Sequence, residues 1–340
     1  MSPFRSLDAL HEACTSLTAA DPSSIAMLVR QDAQLTKPAG SLGRLEDIVK
    51  WFGAWRPLAI ARAEICLFAG NHGVLAQGVS AWPASVTEAM IRNFRQGGAA
   101  INQLAREVDA GLRVVELASL TPSADMTLAP ALTEAEFLHA VSTGYDSVSP
   151  QCDLLALGEM GVGNTTAAAA LAAALFGGDG QTWAGRGAGL DDAGVQRKAN
   201  AIDRALSRHG RDHSPLALAR HYGGWELAAL LGATLAARHY RIPVLLDGFV
   251  VTAAVAPLAL LDPTALDHTM LGHCSHEQGH RHLAARLGLT PLLDLSLRLG
   301  EGSGAALAIP LVRAALACHN GMARFDDLAI DDQNNRPIKS

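Results

Sequence analysis

Residues 154–166 read Leu154-Leu155-Ala156-Leu157-Gly158-Glu159-Met160-Gly161-Val162-Gly163-Asn164-Thr165-Thr166, and an alanine-rich run follows to Phe176. A short apolar run, a glycine-punctuated polar turn and a long helix-forming run predict one strand–turn–helix step. Outward from it, similar apolar runs recur at 65–69, 113–117, 242–246 and 269–272, most of them separated by alanine-rich helical stretches. Strands alternating with helices predict an α/β fold, a mainly parallel, Rossmann-like sheet with helices on both faces. Several strands end in glycine or a carboxylate, at Gly70, Gly158-Glu159 and Asp247-Gly248. Ligands bind at the carboxyl ends of strands in such sheets, so the polar punctuation falls where a site is expected.

Upstream of the first strand the pattern is helical. Leu7–Leu17 and Ile25–Leu35 carry apolar residues at helical spacing, with Asp21-Pro22-Ser23 between them. Ser41 is a candidate cap for a helix over Leu42–Trp55. Residues 119–150 are the least regular stretch and predict a surface excursion with a short helix near Thr133–Val141.

Composition narrows the function classes. Of 340 residues, 49% are hydrophobic and 18% charged, which excludes intrinsic disorder. Aromatics are 5% and the net charge is −6, so neither a base-stacking platform nor a basic footprint for nucleic acid is present. Five cysteines, widely spread and without a C-x-x-C pair, encode neither a disulfide framework nor a thiolate zinc site. The longest apolar runs, such as 167–176, are shorter than the roughly 20 residues a membrane span needs. A cytoplasmic location is the expectation.

Four glycine-rich segments carry candidate chemistry. Gly161-Val162-Gly163 opening a helix offers backbone N–H groups and the positive end of a helix dipole, an anion site. Asn164, Thr165 or Thr166 could cap that helix. The turn lacks a Walker lysine and a third dinucleotide glycine, so a monophosphate is the expected ligand. Gly185-Arg186-Gly187-Ala188-Gly189-Leu190-Asp191-Asp192 permits close backbone approach; Asp191 or Asp192 can cap, and Lys198, one turn into the next helix, can reach a phosphate. In Gly300-Glu301-Gly302-Ser303-Gly304 a carboxylate flanked by glycines suits a general base once desolvated. Asn71-His72-Gly73, followed by Ser80-Ala81-Trp82, could line a pocket for a flat heterocycle. His273, His276 and His280, at i, i+3, i+7, would share a face if helical, yet His-x-x-His-Glu is not the zincin order. Ser275 as a helix cap is the competing reading of that segment.

Taken in order, Lys37 to Glu46, Gly70 to Val74, Gly97 to Asn102, Gly158 to Thr166, Gly185 to Asp192, Arg241 to Phe249 and Leu293 to Ala306 resemble the nicotinate-nucleotide–dimethylbenzimidazole phosphoribosyltransferase family. The resemblance implies transfer of the 5-phosphoribosyl group of nicotinate mononucleotide to 5,6-dimethylbenzimidazole, giving α-ribazole 5′-phosphate and nicotinate in cobalamin biosynthesis. It implies a homodimer with no cofactor and no metal. It also implies a small helical domain from both chain ends (1–60 with about 310–340) beside an α/β catalytic domain (61–309). Glu301 falls on the family's catalytic base and Glu159 on a second glutamate near the ribose. Phosphate and ribose would rest on Gly161, Gly163, Asn164, Thr165, Gly187, Gly189 and Lys198, and the aromatic base on Ser80, His72 and Met160. Departures are few: Asn71 for Asp, Ser296 for Gly, and His276 and Gln278 for the usual Ala and Pro. Two other readings compete, a non-catalytic phosphometabolite-binding protein and a metal-dependent hydrolase built on the three histidines.

Overall fold

The computed structural model describes residues 3–328. Helices α1 (Leu7–Thr15), α2 (Pro22–Asp32) and α3 (Arg44–Gly53) precede strand β1 (Ala63–Ala69). Helices α4 (Ser85–Gln96) and α5 (Ala100–Glu107) lead to β2 (Ala110–Glu116), and α6 (Glu134–Asp146) leads to β3 (Leu154–Met160). Then come α7 (Asn164–Phe176), α8 (Gly180–Trp183), α9 (Asp192–His209), α10 (Pro215–Tyr222) and α11 (Trp225–His239), before β4 (Val244–Leu246). Helix α12 (Phe249–Leu261), β5 (Thr269–Leu271), α13 (Gln278–Arg286) and α14 (Ser303–Gly321) follow.

The five strands form one sheet in the order β2-β1-β3-β4-β5, all neighbours parallel. Each expected strand is present within a few residues of its predicted bounds. Side chains of β1 alternate between two cores: Cys66 and Phe68 pack on one face, Ile65, Leu67 and Ala69 on the other. Helices cover both faces of β1, β3 and β4, which is why these strands read as unbroken apolar runs, whereas the edge strand β2 alternates between half-buried and exposed residues. Full burial of a side chain such as Leu67 contributes roughly 2 kcal/mol.

The chain ends meet on one side of the sheet. Thr36 N–H donates to the Ala323 carbonyl and Phe325 N–H to the Gln34 carbonyl, both at 3.0 Å. Leu28, Ile48 and Phe52 share a core with Val312 and Leu316 of α14 and with β1. Helix α1 lies elsewhere: its Leu10 and Cys14 join the other core, against α6 and α12. The first 60 residues therefore serve both faces of the sheet. Residues 329–340, the end of the expected terminal domain, lie outside the described residues. Helix α3 starts at Arg44 with Gly43 as its cap, so Ser41 does not cap it. No helix among the described residues is long and apolar enough to cross a membrane.

Candidate active site

In a sheet of this strand order the direction of winding reverses between β1 and β3, and a crevice opens there. A cavity of 520 Å³ lies at the carboxyl ends of the strands, within the size range of small-molecule sites. Its floor is a tight junction: Gly70 N–H donates to the Met160 carbonyl at 3.0 Å. Beneath it His72 Nε2 lies 2.5 Å from Glu226 Oε1, both side chains almost wholly unexposed. A Cβ on Gly161 would meet Glu226 Oε1 at 2.8 Å, so only glycine lets the turn rest on that pair.

One side of the cavity is positive. Gly163 has φ +101°, open to glycine at little cost, and swings the chain from β3 into α7. Helix α7 is capped by Gly163 with no side-chain hydrogen bond. Asn164 and Thr165, read as possible caps, face the site instead: Asn164 Nδ2 donates to Glu159 Oε2, and Thr165 Oγ1 accepts from Lys198 Nζ at 2.9 Å. Lys198 also donates to the Gly185 carbonyl at 3.1 Å and has no ion-pair partner among the described residues. Burial pulls its pKa down to about 8, with the Glu277 charge acting the other way. A buried ammonium beside an amide-rich turn is a site for a dianionic group. Asp191 caps α9 through Gly194 N–H at 2.7 Å, one of the two capping choices legible in the sequence.

The other side is acidic. Burial pushes the Glu159 carboxyl up to about 8; the charges of Glu226, Asp247 and Glu301 add to this, and the Asn164 hydrogen bond opposes it. Burial likewise raises Glu301 to about 7; a hydrogen bond from the Ile101 backbone opposes this and the Asp247 charge adds to it. Glu301 lines the cavity and is 4% exposed, and its Oε2 is buried without a hydrogen-bond partner. The two glutamates are adjacent, since Glu301 N–H donates to the Glu159 carbonyl at 3.0 Å. A Cβ on Gly300 would meet Glu159 Oε1 at 2.3 Å, so this glycine makes room for the second carboxylate. Two adjacent carboxyls raised by burial, in a cavity that Lys198 also lines, suit proton transfer beside a developing cation.

The remaining expected residues divide. Ser80, Met160, Gly161, Gly163, Asn164, Thr165, Gly187 and Lys198 all line the cavity. His72 does not; it sits behind the turn, paired with Glu226, because the chain after β1 bends under Gly163. Gly189 also falls outside the lining, turned away by its bond to the Arg186 carbonyl at 3.2 Å. Trp82, half-exposed, stands at the mouth, with its indole N–H on the Ala188 carbonyl at 3.1 Å.

The histidine cluster does not form. Helix α13 begins only at Gln278, so His273 and His276 precede it and share no helix face with His280. His276 is exposed, whereas His280 is buried and held by Ser275 and Thr252. No group of three His, Cys, Asp or Glu among the described residues is arranged to hold a metal. Ser275 serves as a partner of His280, and Glu277, not Ser275, is the cap residue of α13.

Two buried carboxylates beside the cavity, Glu226 and Asp247, have partners that are not legible in the sequence. Glu226 follows a Gly223-Gly224 pair that marks a helix start but not its partner. Asp247 is visible as a carboxylate ending a buried strand, without its target.

A phosphoribosyltransferase family model matches residues 17–330. The nicotinate-nucleotide–dimethylbenzimidazole phosphoribosyltransferase of Mesorhizobium japonicum is 55% identical over 336 residues, spanning 97% of this chain and 100% of the relative. The enzyme of the same name from Ruegeria sp. strain TM1040 is 51% identical over 316 residues, 92% of this chain and 94% of the relative. A crystal structure of CobT from Thermus thermophilus superposes with a TM-score of 0.85 at 39% identity, covering 92% of this chain and 100% of that one.

Proposed function

This chain belongs to the nicotinate-nucleotide–dimethylbenzimidazole phosphoribosyltransferase family, and on that premise we propose how its cavity performs the transfer. The activity forms α-ribazole phosphate in cobalamin synthesis. The donor we assign is nicotinate mononucleotide and the acceptor 5,6-dimethylbenzimidazole. The donor's 5′-phosphate rests on the Gly161–Gly163 turn, Gly187 and Lys198. Its ribose then faces Glu159, and the acceptor ring lies between Ser80, Met160 and Glu301.

The donor's pyridinium is already cationic. When the bond from C1′ to the pyridinium nitrogen breaks, its electron pair stays on nicotinate and positive charge develops at C1′, as in other glycosyl transfers. Glu159 stabilises that charge electrostatically. A bound cation favours its ionised form and so counters the burial that holds it protonated in the empty site. A ring nitrogen of the acceptor forms the new bond to C1′. The proton on its other nitrogen passes to Glu301, a residue that lines the same cavity and whose Oε2 is buried and unpaired. That orphaned oxygen is the observation that carries the assignment, since a buried polar atom without a partner costs roughly 1–3 kcal/mol until a ligand donor reaches it.

Glu301→Gln tests it. Turnover, followed as nicotinate released from nicotinate mononucleotide and dimethylbenzimidazole, should fall by about 10²-fold or more with the fold retained. Near-normal turnover removes Glu301 from the role. The adjacency of two raised carboxyls favours this reading over a silent phosphometabolite-binding protein, which has no use for a proton acceptor.

A cytoplasmic homodimer completes the proposal. The five free thiols suit a reducing compartment. Trp82 and Leu299, each about half exposed beside the cavity mouth, suit a second copy. The terminal helical unit is narrowed to α2, α3 and the end of α14, since α1 packs on the opposite face.

A further inference from the structure

Glu301 holds a backbone conformation that glutamate rarely adopts, with φ +70°. Such a residue persists only where its surroundings fix it from more than one side. One side is β3. The Glu301 amide donates to the Glu159 carbonyl at 3.0 Å, and a Cβ on Gly158 would strike the Glu301 carbonyl carbon at 2.6 Å.

The other side is Asp247, directly after β4 and 1% exposed. Its Oδ2 accepts from Gly302 N–H at 3.2 Å, and its Oδ1 accepts from Gly304 N–H at 2.8 Å and Ala305 N–H at 3.0 Å. These are orphan amides at the start of α14, whose own cap residue, Gly302, has no side chain to satisfy them. Asp247 thus caps a helix from a different strand, and the peptide joining Glu301 to Gly302 is tied to it. His273 backs the carboxylate, its Nε2 3.3 Å from Oδ1.

We propose that Asp247 is the positioning residue for Glu301: from the end of β4 it fixes the Glu301–Gly302 peptide and sets the charge against which the Glu301 carboxylate works. The inference rests on Glu301 being the proton acceptor. The groups that act on Glu301 are Glu159 of β3, Asp247 just after β4 and the Ile101 amide at the start of α5; His273 stands against Asp247, and Arg298 of the same loop lines the same cavity. Asp247 bonds the neighbouring backbone through its carboxylate, and the same carboxylate adds negative charge that holds the Glu301 carboxyl up.

Asp247→Asn keeps the shape and one carbonyl oxygen but removes the charge and the bond to Gly302. In the dimeric or monomeric enzyme as purified, kcat should fall by about tenfold or more, with the KM for nicotinate mononucleotide changed by about twofold or less. The acid limb of kcat should move to lower pH, because a carboxylate forms more readily once an adjacent negative charge is gone. Placed on Glu301→Gln, the same substitution should change the residual rate by less than about twofold, since the two residues act as one unit. An equal loss in both backgrounds, or an acid limb that stays in place, overturns the proposal. Where Asp247→Asn does not fold, Asp247→Ser, with a short uncharged acceptor, is read the same way. A fully active Glu301→Gln sinks the base assignment and this proposal together. An inactive Glu301→Gln with an unmoved acid limb in Asp247→Asn sinks this one alone.

Discussion

Replacing Lys198 by methionine should make the empty protein more stable and the enzyme worse. The ammonium is 1% exposed and its hydrogen bonds run to neutral oxygens of Thr165 and Gly185. Burial lowers its pKa from 10.5 to about 8; at 1.36 kcal/mol per pH unit that gap corresponds to roughly 3 kcal/mol. For a lysine so lowered, the native chain binds fewer protons than the unfolded chain between pH 8 and 10.5. Stability therefore rises with pH across that window, and the penalty is fully present below about pH 8. Methionine removes the charge and forfeits two hydrogen bonds of about 1 kcal/mol each, leaving a net gain of roughly 1–2 kcal/mol at pH 7. With an unfolding entropy of about 2.1 cal/mol/K per residue over 340 residues, Tm should rise by about 1.5–3 °C. The donor phosphate meanwhile loses charge-assisted bonds of about 1.5–3 kcal/mol, which weakens nicotinate mononucleotide binding by roughly 10- to 150-fold. Thermal melts at pH 7 with and without the donor, beside steady-state kinetics, read both effects. A lower ligand-free Tm together with an unchanged KM refutes the reasoning.

Glu159→Gln should flatten the pH dependence of stability. A carboxyl raised to about 8 binds its proton more tightly when native, so its contribution is present below about pH 4.5 and lost as pH climbs through 8; melts at pH 5 and pH 9 should differ less in the variant than in the parent. Gly158→Ala should depress turnover by about 10²-fold or more, because the added methyl displaces the backbone of Glu301 and Gly302 that now lies under 3 Å away; kcat near the parent value contradicts the packing argument. Dialysis against EDTA should leave turnover unchanged, since His273, His276 and His280 share no face; activity lost and then restored by zinc refutes that.

The sheet was legible because the inner parallel strands, covered on both faces, are apolar runs and several runs end on a glycine or a carboxylate; the half-exposed edge strand β2, with Arg113 and Glu116, carries the weaker signal. The cavity's glycines and both glutamates were legible for a related reason. A chain that brings a carboxylate to a strand end within hydrogen-bond distance of another strand needs residues without side chains beside it. What sequence could not supply is pairing across long separations. Nothing near His72 indicates that Glu226 will claim it, so its position in the sequence suggests a pocket wall instead. Nothing near Asp247 indicates that its acceptors serve amides beyond residue 300. The histidine spacing failed because regular helix starts at Gln278, and the periodicity argument holds only within continuous helix.

On the binding mode proposed above, the cavity has an electrical polarity, a buried ammonium where the phosphate rests and the Glu159 and Glu301 carboxyls about the reacting carbon. Nicotinate mononucleotide carries a matching polarity about its ribose, anionic at the phosphate and cationic at the pyridinium nitrogen, with the ring carboxylate lying beyond it. Head-to-tail alignment is thus selected before any shape is tested. A donor entering backwards would set its phosphate against the carboxyls. Once the pyridinium has gone and a neutral ribazole ring takes its place, the acidic wall loses its counterion while the phosphate stays gripped. The sugar product is then held by one end only, which favours its departure over return along the same path.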